Sequence, residues 1–122
     1  METDLESWLI STKELRDNLV SYGKSPLPRD TFERHADIEL AIQNADDSGR
    51  LLADLESFLS QAKAKAMFSA LDKYPDLNAR EREVVIKAEV RNVQRLVDGM
   101  AVTERTLKAR IFSSMNANRS SV

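Results

Sequence analysis

The chain contains no cysteine, which removes disulfides and thiolate metal sites from consideration. Only three of its 122 residues are glycine and three are proline, so turns are few and elements long. The glycines, Gly23, Gly49 and Gly99, stand apart, and no glycine-rich phosphate loop can be built from them. Aromatics are sparse at 6% while charged residues reach 31%, a contrast that suits extended helices. No run approaches the roughly 18 apolar residues of a membrane span. The first residues, Met-Glu-Thr-Asp-Leu-Glu, are acidic where a secretory leader would be basic. The expected location is therefore the cytoplasm, with no membrane partner.

Charge is unevenly placed along the chain. Residues 1–77 carry 9 Lys and Arg against 15 Asp and Glu, a balance of −6. Residues 78–122 carry 9 against 5, a balance of +4. Such halves can attract one another within a molecule or between molecules.

Apolar spacing predicts an all-α fold: a long antiparallel, coiled-coil-like helical hairpin with an additional N-terminal helix, in one domain spanning 1–122. The first helix covers 3–22, capped by Thr3 or Asp4, with Leu5, Trp8, Leu9, Leu15, Leu19 and Tyr22 on one face. Gly23 is expected to stop it. A connector follows over 23–29, stiffened by Pro26 and Pro28.

A long helix is predicted over 30–73, with Asp30 as N-cap. Ile38, Ala41, Ala45, Ser48, Leu52, Leu55, Leu59, Ala62 and Ala66 alternate steps of three and four, a heptad pattern. Asp46-Asp47-Ser48-Gly49 combines a glycine with poor helix formers, so a bend or break is expected near 46–50. Pro75 marks a turn over 74–78, and Asn78 with Glu81 forms the signature of a capping box. A last helix is predicted over 79–115, with a frayed tail at 116–122. Its stripe is Ile86, Val90, Val93, Val97, Met100, Glu104, Leu107 and Ile111. Folding about Asp76 brings the two stripes into register and sets Glu104 beside Ser48. Glu104 is expected to pair with Arg50 there, because a buried lone carboxylate is expensive.

Catalytic chemistry finds little support. His35 is the only histidine, and of its acidic neighbours only Glu39 shares its helical face, so it reads as solvated rather than as a ligand or base. Asp46 and Asp47 point about 100° apart on a helix and do not converge. No serine, threonine or lysine sits in a nucleophile motif. No catalytic, cofactor-binding or metal-ligating residue is assigned, and no cofactor is expected.

Binding is better supported. Arg80, Lys87, Arg91, Arg95 and Arg105 fall within a sector of about 80° on the last helix, directed away from the apolar stripe. Such a ribbon could meet nucleic-acid phosphates or an acidic protein. Against nucleic acid stand the overall charge of −2 and the lack of interleaved aromatics for base stacking. Trp8, Phe58, Phe68 and Phe112 are candidate interface residues, since a two-helix seam cannot bury all the apolar surface available. A homo-oligomer is expected on the same ground.

The stretch Leu71-Asp72-Lys73-Tyr74-Pro75-Asp76-Leu77-Asn78-Ala79-Arg80-Glu81-Arg82-Glu83, with the later Lys108-Ala109-Arg110-Ile111, resembles short helical proteins of tailed bacteriophages. The resemblance covers roughly residues 71–115. It implies a phage or prophage origin, a host-cell cytoplasmic location and a role as regulator or inhibitor of a host or phage protein. It carries over no functional residue. The leading expectation is a non-enzymatic protein–protein interaction module; the alternative is a nucleic-acid-associated accessory protein using the basic ribbon.

Overall fold

The computed structural model describes residues 4–120 and is all-α, with four helices and, among the described residues, no strand. Helix α1 spans Leu5–Lys24. Asp4 caps it, its carboxylate accepting the Ser7 N–H at 2.7 Å, which holds the Asp4 carboxyl below its ordinary value. Thr3, the other candidate cap, lies outside the described residues. Gly23 does not stop the helix. It has no left-handed backbone and lies inside α1, where an added Cβ would come within 3.3 Å of the Thr106 methyl. The helix ends one residue later, at Lys24, as the C-cap Ser25 turns its N–H and hydroxyl onto the Tyr22 carbonyl ahead of Pro26.

Helix α2, Thr31–Lys73, is unbroken. The Asp30 carboxylate accepts the Phe32 and Glu33 N–H groups at its start. The expected break at 46–50 is absent because local contacts outweigh weak propensity. Ser48 is fully buried with its hydroxyl on the Ala45 carbonyl, and Arg50 reaches back to Asp46 and Asp47. Pro75 and the Leu77 N–H bond to the Tyr74 carbonyl make the turn. Helix α3, Ala79–Glu89, opens on the capping box, with Asn78 and Glu81 exchanging bonds of 2.9 and 3.2 Å.

The last segment is two helices rather than the one expected. Helix α4, Arg91–Ser120, begins after an interruption at Val90, whose backbone (φ −95°, ψ 6°) leaves helical geometry. Val84, Val85, Ile86, Val90 and Val93 crowd this stretch with β-branched side chains that weaken helix. Val90 is buried, so packing favours the interruption there. At the other end α4 continues to Ser120 through most of the predicted tail; residues 121–122 lie outside the described residues.

The described chain gathers into two compact units, one of residues 1–50 with 100–122 and one of residues 51–99. In the first, Trp8, Leu19, Ala41, Ala45, Met100 and Leu107 are buried, so α1, α2 and α4 all contribute. In the second, Leu59, Ala66 and Val90 form a cluster with Ala62, Ile86, Val93 and Val97, so α2 packs on α3 and the start of α4. These residues are members of the two predicted stripes. No described helix is long and apolar enough to cross a membrane.

Candidate functional site

Two features stand out, one in each unit. The first is a buried polar cluster that the heptad reading passed over. The predicted stripe ran to Ile38 on α2 and Ile111 on α4, and both are only half-buried. Their neighbours Asp37 and Arg110 are buried instead, each with a side chain 6% exposed. The signal was in the spacing, since Asp37 stands four before Ala41, while Arg110 and Ser114 stand three and seven after Leu107.

Arg110 grips Asp37 with two bonds, Nε to Oδ2 at 3.1 Å and Nη2 to Oδ1 at 2.8 Å. Its Nη1 donates to the carbonyls of Tyr22 and Ser25 at 3.0 and 2.6 Å, which closes the C-terminal end of α1. The Tyr22 hydroxyl donates to Asp37 Oδ1 at 2.7 Å, and the Ser114 hydroxyl donates to Oδ2 at 3.2 Å. The guanidinium also lies 4.3 Å from the Tyr22 ring centre. Burial opposes the charge of Asp37, but the bonds from Arg110 and Tyr22 prevail and hold its carboxyl below the ordinary value. Burial, helped by the Asp37 contact, pushes the Tyr22 hydroxyl up to about 12. With both carboxylate oxygens doubly engaged, the cluster is a fastening between α1, α2 and α4 rather than a reactive site.

The second feature is a groove of about 780 Å³ in the unit of residues 51–99. Its floor is apolar: Ala64 and Met67 from α2, Ile86 from α3, and Val90. Cations line both sides, Lys63 on α2 and Lys87, Arg91 and Arg95 on α3 and α4. Glu83 and Asp98 are the acidic members; Glu83 pairs with Lys87 at 3.4 Å, and Asp98 accepts from Gln94 at 3.0 Å. Among the described residues, no carboxylate pairs with Lys63, Arg91 or Arg95.

The predicted ribbon is thus partly gathered and partly scattered. Lys87, Arg91 and Arg95 share the groove, whereas Arg80 is exposed outside its lining and Arg105 belongs to the other unit, with Nε on the Ala101 carbonyl. Nor does the ribbon face away from α2. Lys87 and Arg91 each follow a seam residue, Ile86 and Val90, and one residue is only about 100° of rotation, so they flank the seam. Lys63, on the facing wall, was not singled out in the sequence, because isolated lysines on a helix carry no pattern.

The interface candidates also divide. Trp8 is core, 6% exposed, with the Arg16 guanidinium 5.6 Å from its ring centre, so it offers no contact surface. Phe58 is half-buried. Phe68 and Phe112 are 74% and 67% exposed. Ala64, Met67, Phe68 and Leu71 lie on one face of α2, all exposed, and the first two also floor the groove. The expected Arg50–Glu104 pair is absent: Arg50 bonds Asp46 and Asp47, and Glu104 pairs with Lys108 at 3.1 Å. A near partner on the same helix, three or four residues away, orders less side chain than a reach across the seam. Glu104 still lies beside the Ser48–Arg50 segment, with Oε2 2.9 Å from where a Cβ on Gly49 would stand. His35 is exposed on α2, and among the described residues no cluster of three His, Asp or Glu side chains could hold a metal.

No family model, no curated protein and no solved structure matches the chain.

Proposed function

We propose that the protein is a non-enzymatic protein–protein interaction module whose contact surface is the open side of the unit of residues 51–99. One observation carries this reading. The apolar floor of the groove continues into Met67, Phe68 and Leu71, which are 53%, 74% and 43% exposed. Contiguous exposed apolar surface of this kind is characteristic of an interface. The partner, on this reading, is a protein of the cytoplasm. The likeness of residues 71–115 to phage helical proteins supports a regulator or inhibitor acting on a host or phage protein. Self-association through the same surface is the competing occupant.

The gathering of Lys87, Arg91 and Arg95 with Lys63 gives a second reading, contact with nucleic acid. Glu83 and Asp98 in the same lining and an apolar floor without an aromatic for base stacking weigh against it.

A photo-crosslinking side chain placed at Met67 or Phe68, and as a control at exposed Lys13, tests the module. In extract of cells that express the protein, the first two positions should give one discrete protein adduct and Lys13 none. Equal labelling from all three positions, or transfer to nucleic acid alone, would remove the reading.

A further inference from the structure

The groove has a charge pattern as well as a shape, and the two together specify an occupant more closely than exposure does. Along α3 and α4 the lining runs from Glu83 to Asp98, and its stretch from Ile86 to Asp98 spans about 18 Å at helical rise, or three turns of a docked helix. Its apolar lining is Ala64 and Met67 from α2 with Ile86 and Val90. On one wall stands Lys63, and on the other stand Lys87, Arg91 and Arg95 at steps of four. Among the described residues, Lys87 alone of these four pairs with a carboxylate, that of Glu83. Four cations against two acids leave a positive balance around an apolar trough.

From this pattern we propose that the groove docks an acidic amphipathic helix of a partner protein, its apolar stripe on Met67, Ile86 and Val90 and its flanking carboxylates on Lys63, Arg91 and Arg95. The proposal rests on the interaction-module reading and names the partner's chemistry. A helix laid in a groove reads as apolar anchors every three or four residues, and about three turns present enough of them to fill this floor. Arg91 and Arg95, exposed and, among the described residues, without an ion pair, offer planar forks suited to carboxylates. A second copy of this chain fits less well, because a two-fold contact would set this net-positive lining against itself. Nor does a basic helix fit, because like charges across an interface oppose docking.

The test uses the full chain and fluorescence anisotropy with three labelled synthetic helical peptides of about three turns. One has a leucine stripe flanked by glutamates, one the same stripe flanked by lysines, and one is a scramble of the first. The acidic peptide should bind, more weakly as salt rises, and the other two at least about tenfold more weakly. Arg91→Glu with Arg95→Glu should weaken the acidic peptide by about tenfold or more and improve the lysine-flanked one, with unchanged helicity by circular dichroism. Met67→Asp, at an exposed floor position, should weaken both. The proposal is overturned if the glutamate- and lysine-flanked peptides bind alike, or if the charge-reversed variant binds like the parent. It is also overturned if the chain dimerises through Met67 and no peptide displaces the second copy, or if duplex DNA binds there and the acidic peptide does not compete. Peptide failure together with a discrete protein adduct at Met67 would remove the acidic helix and leave the interaction module standing. Failure of both would remove the two together.

Discussion

The unit of residues 1–50 with 100–122 and the unit of residues 51–99 draw on the same two long helices, α2 and α4, yet they are finished differently. In the first, α1 supplies a third apolar face, and Arg110, Asp37, Tyr22 and Ser114 fasten the three helices with bonds that leave neither oxygen of the carboxylate idle. In the second, α3 and the start of α4 pack on α2, and one side of that packing stays open as a groove. The first unit uses its charges inward, where few geometries satisfy them. The second holds its cations at an open surface, where they are available to something else. Helices with similar stripes can thus yield a closed core or an open groove, according to whether a further face from the same unit packs on them.

The sharpest way to break this contrast is to remove a charge from each unit. Asp37→Ala strands the Arg110 guanidinium in a buried site and should lower stability by about 3–5 kcal/mol in denaturant unfolding. Arg91→Ala, at the groove, should change stability by no more than about 0.5 kcal/mol. Comparable losses from the two would mean that the inner cluster is not the special fastening described.

Acid and alkali probe the same cluster without mutation. Asp37 has its folded value depressed, so its contribution is present above 3.8 and is lost as pH falls below that value. Tyr22 has its folded value raised, so its contribution is present below 10.0 and is lost as pH climbs from there to about 12. Both losses should be smaller in Asp37→Asn. An acid and alkali profile in that variant identical to the parent's would show that other groups govern the transitions.

The glycines give a gentler comparison. Nothing lies within 4 Å of a Cβ built on Gly99, which is exposed on α4, so Gly99→Ala should stabilise by up to about 1 kcal/mol through helix propensity. At Gly49 the new Cβ meets Glu104 Oε2 at 2.9 Å. That carboxylate can swing on its flexible chain, so Gly49→Ala should gain less than Gly99→Ala. Equal gains in thermal unfolding would mean that Glu104 does not lean on Gly49. Smallest of all is Arg50→Ala, which breaks an exposed pair and should cost under about 1 kcal/mol.

Much of the fold was legible because long helices announce themselves through spacing. Ala41, Ala45, Ser48, Leu55, Leu59, Ala66, Val90, Met100 and Leu107 were placed on the inner faces by periodicity alone, and all are buried. The caps at Asp30 and Asn78 were legible from side-chain chemistry, and Asp4 was one of two candidates for the first helix. What escaped was whatever depends on two distant segments at once. Asp37 and Arg110 look like surface residues until each is seen to neutralise the other across 73 positions of chain. The preference for apolar members led the stripes to Ile38 and Ile111 instead. The interruption at Val90 has no proline or glycine to mark it, since it arises from packing around a β-branched stretch. Half of the groove was visible, as Lys87, Arg91 and Arg95, but its other wall at Lys63 comes from α2 and needed the fold to bring it near.

The central claim, that binding belongs to the open unit and not to the fastened one, is tested most directly by hydrogen exchange followed by mass spectrometry, with and without the glutamate-flanked peptide. Bound peptide should slow exchange in segments covering 63–67 and 86–98 and leave those covering 22–37 and 107–114 unchanged. Protection confined to the segments around Tyr22, Asp37 and Arg110 would contradict the account.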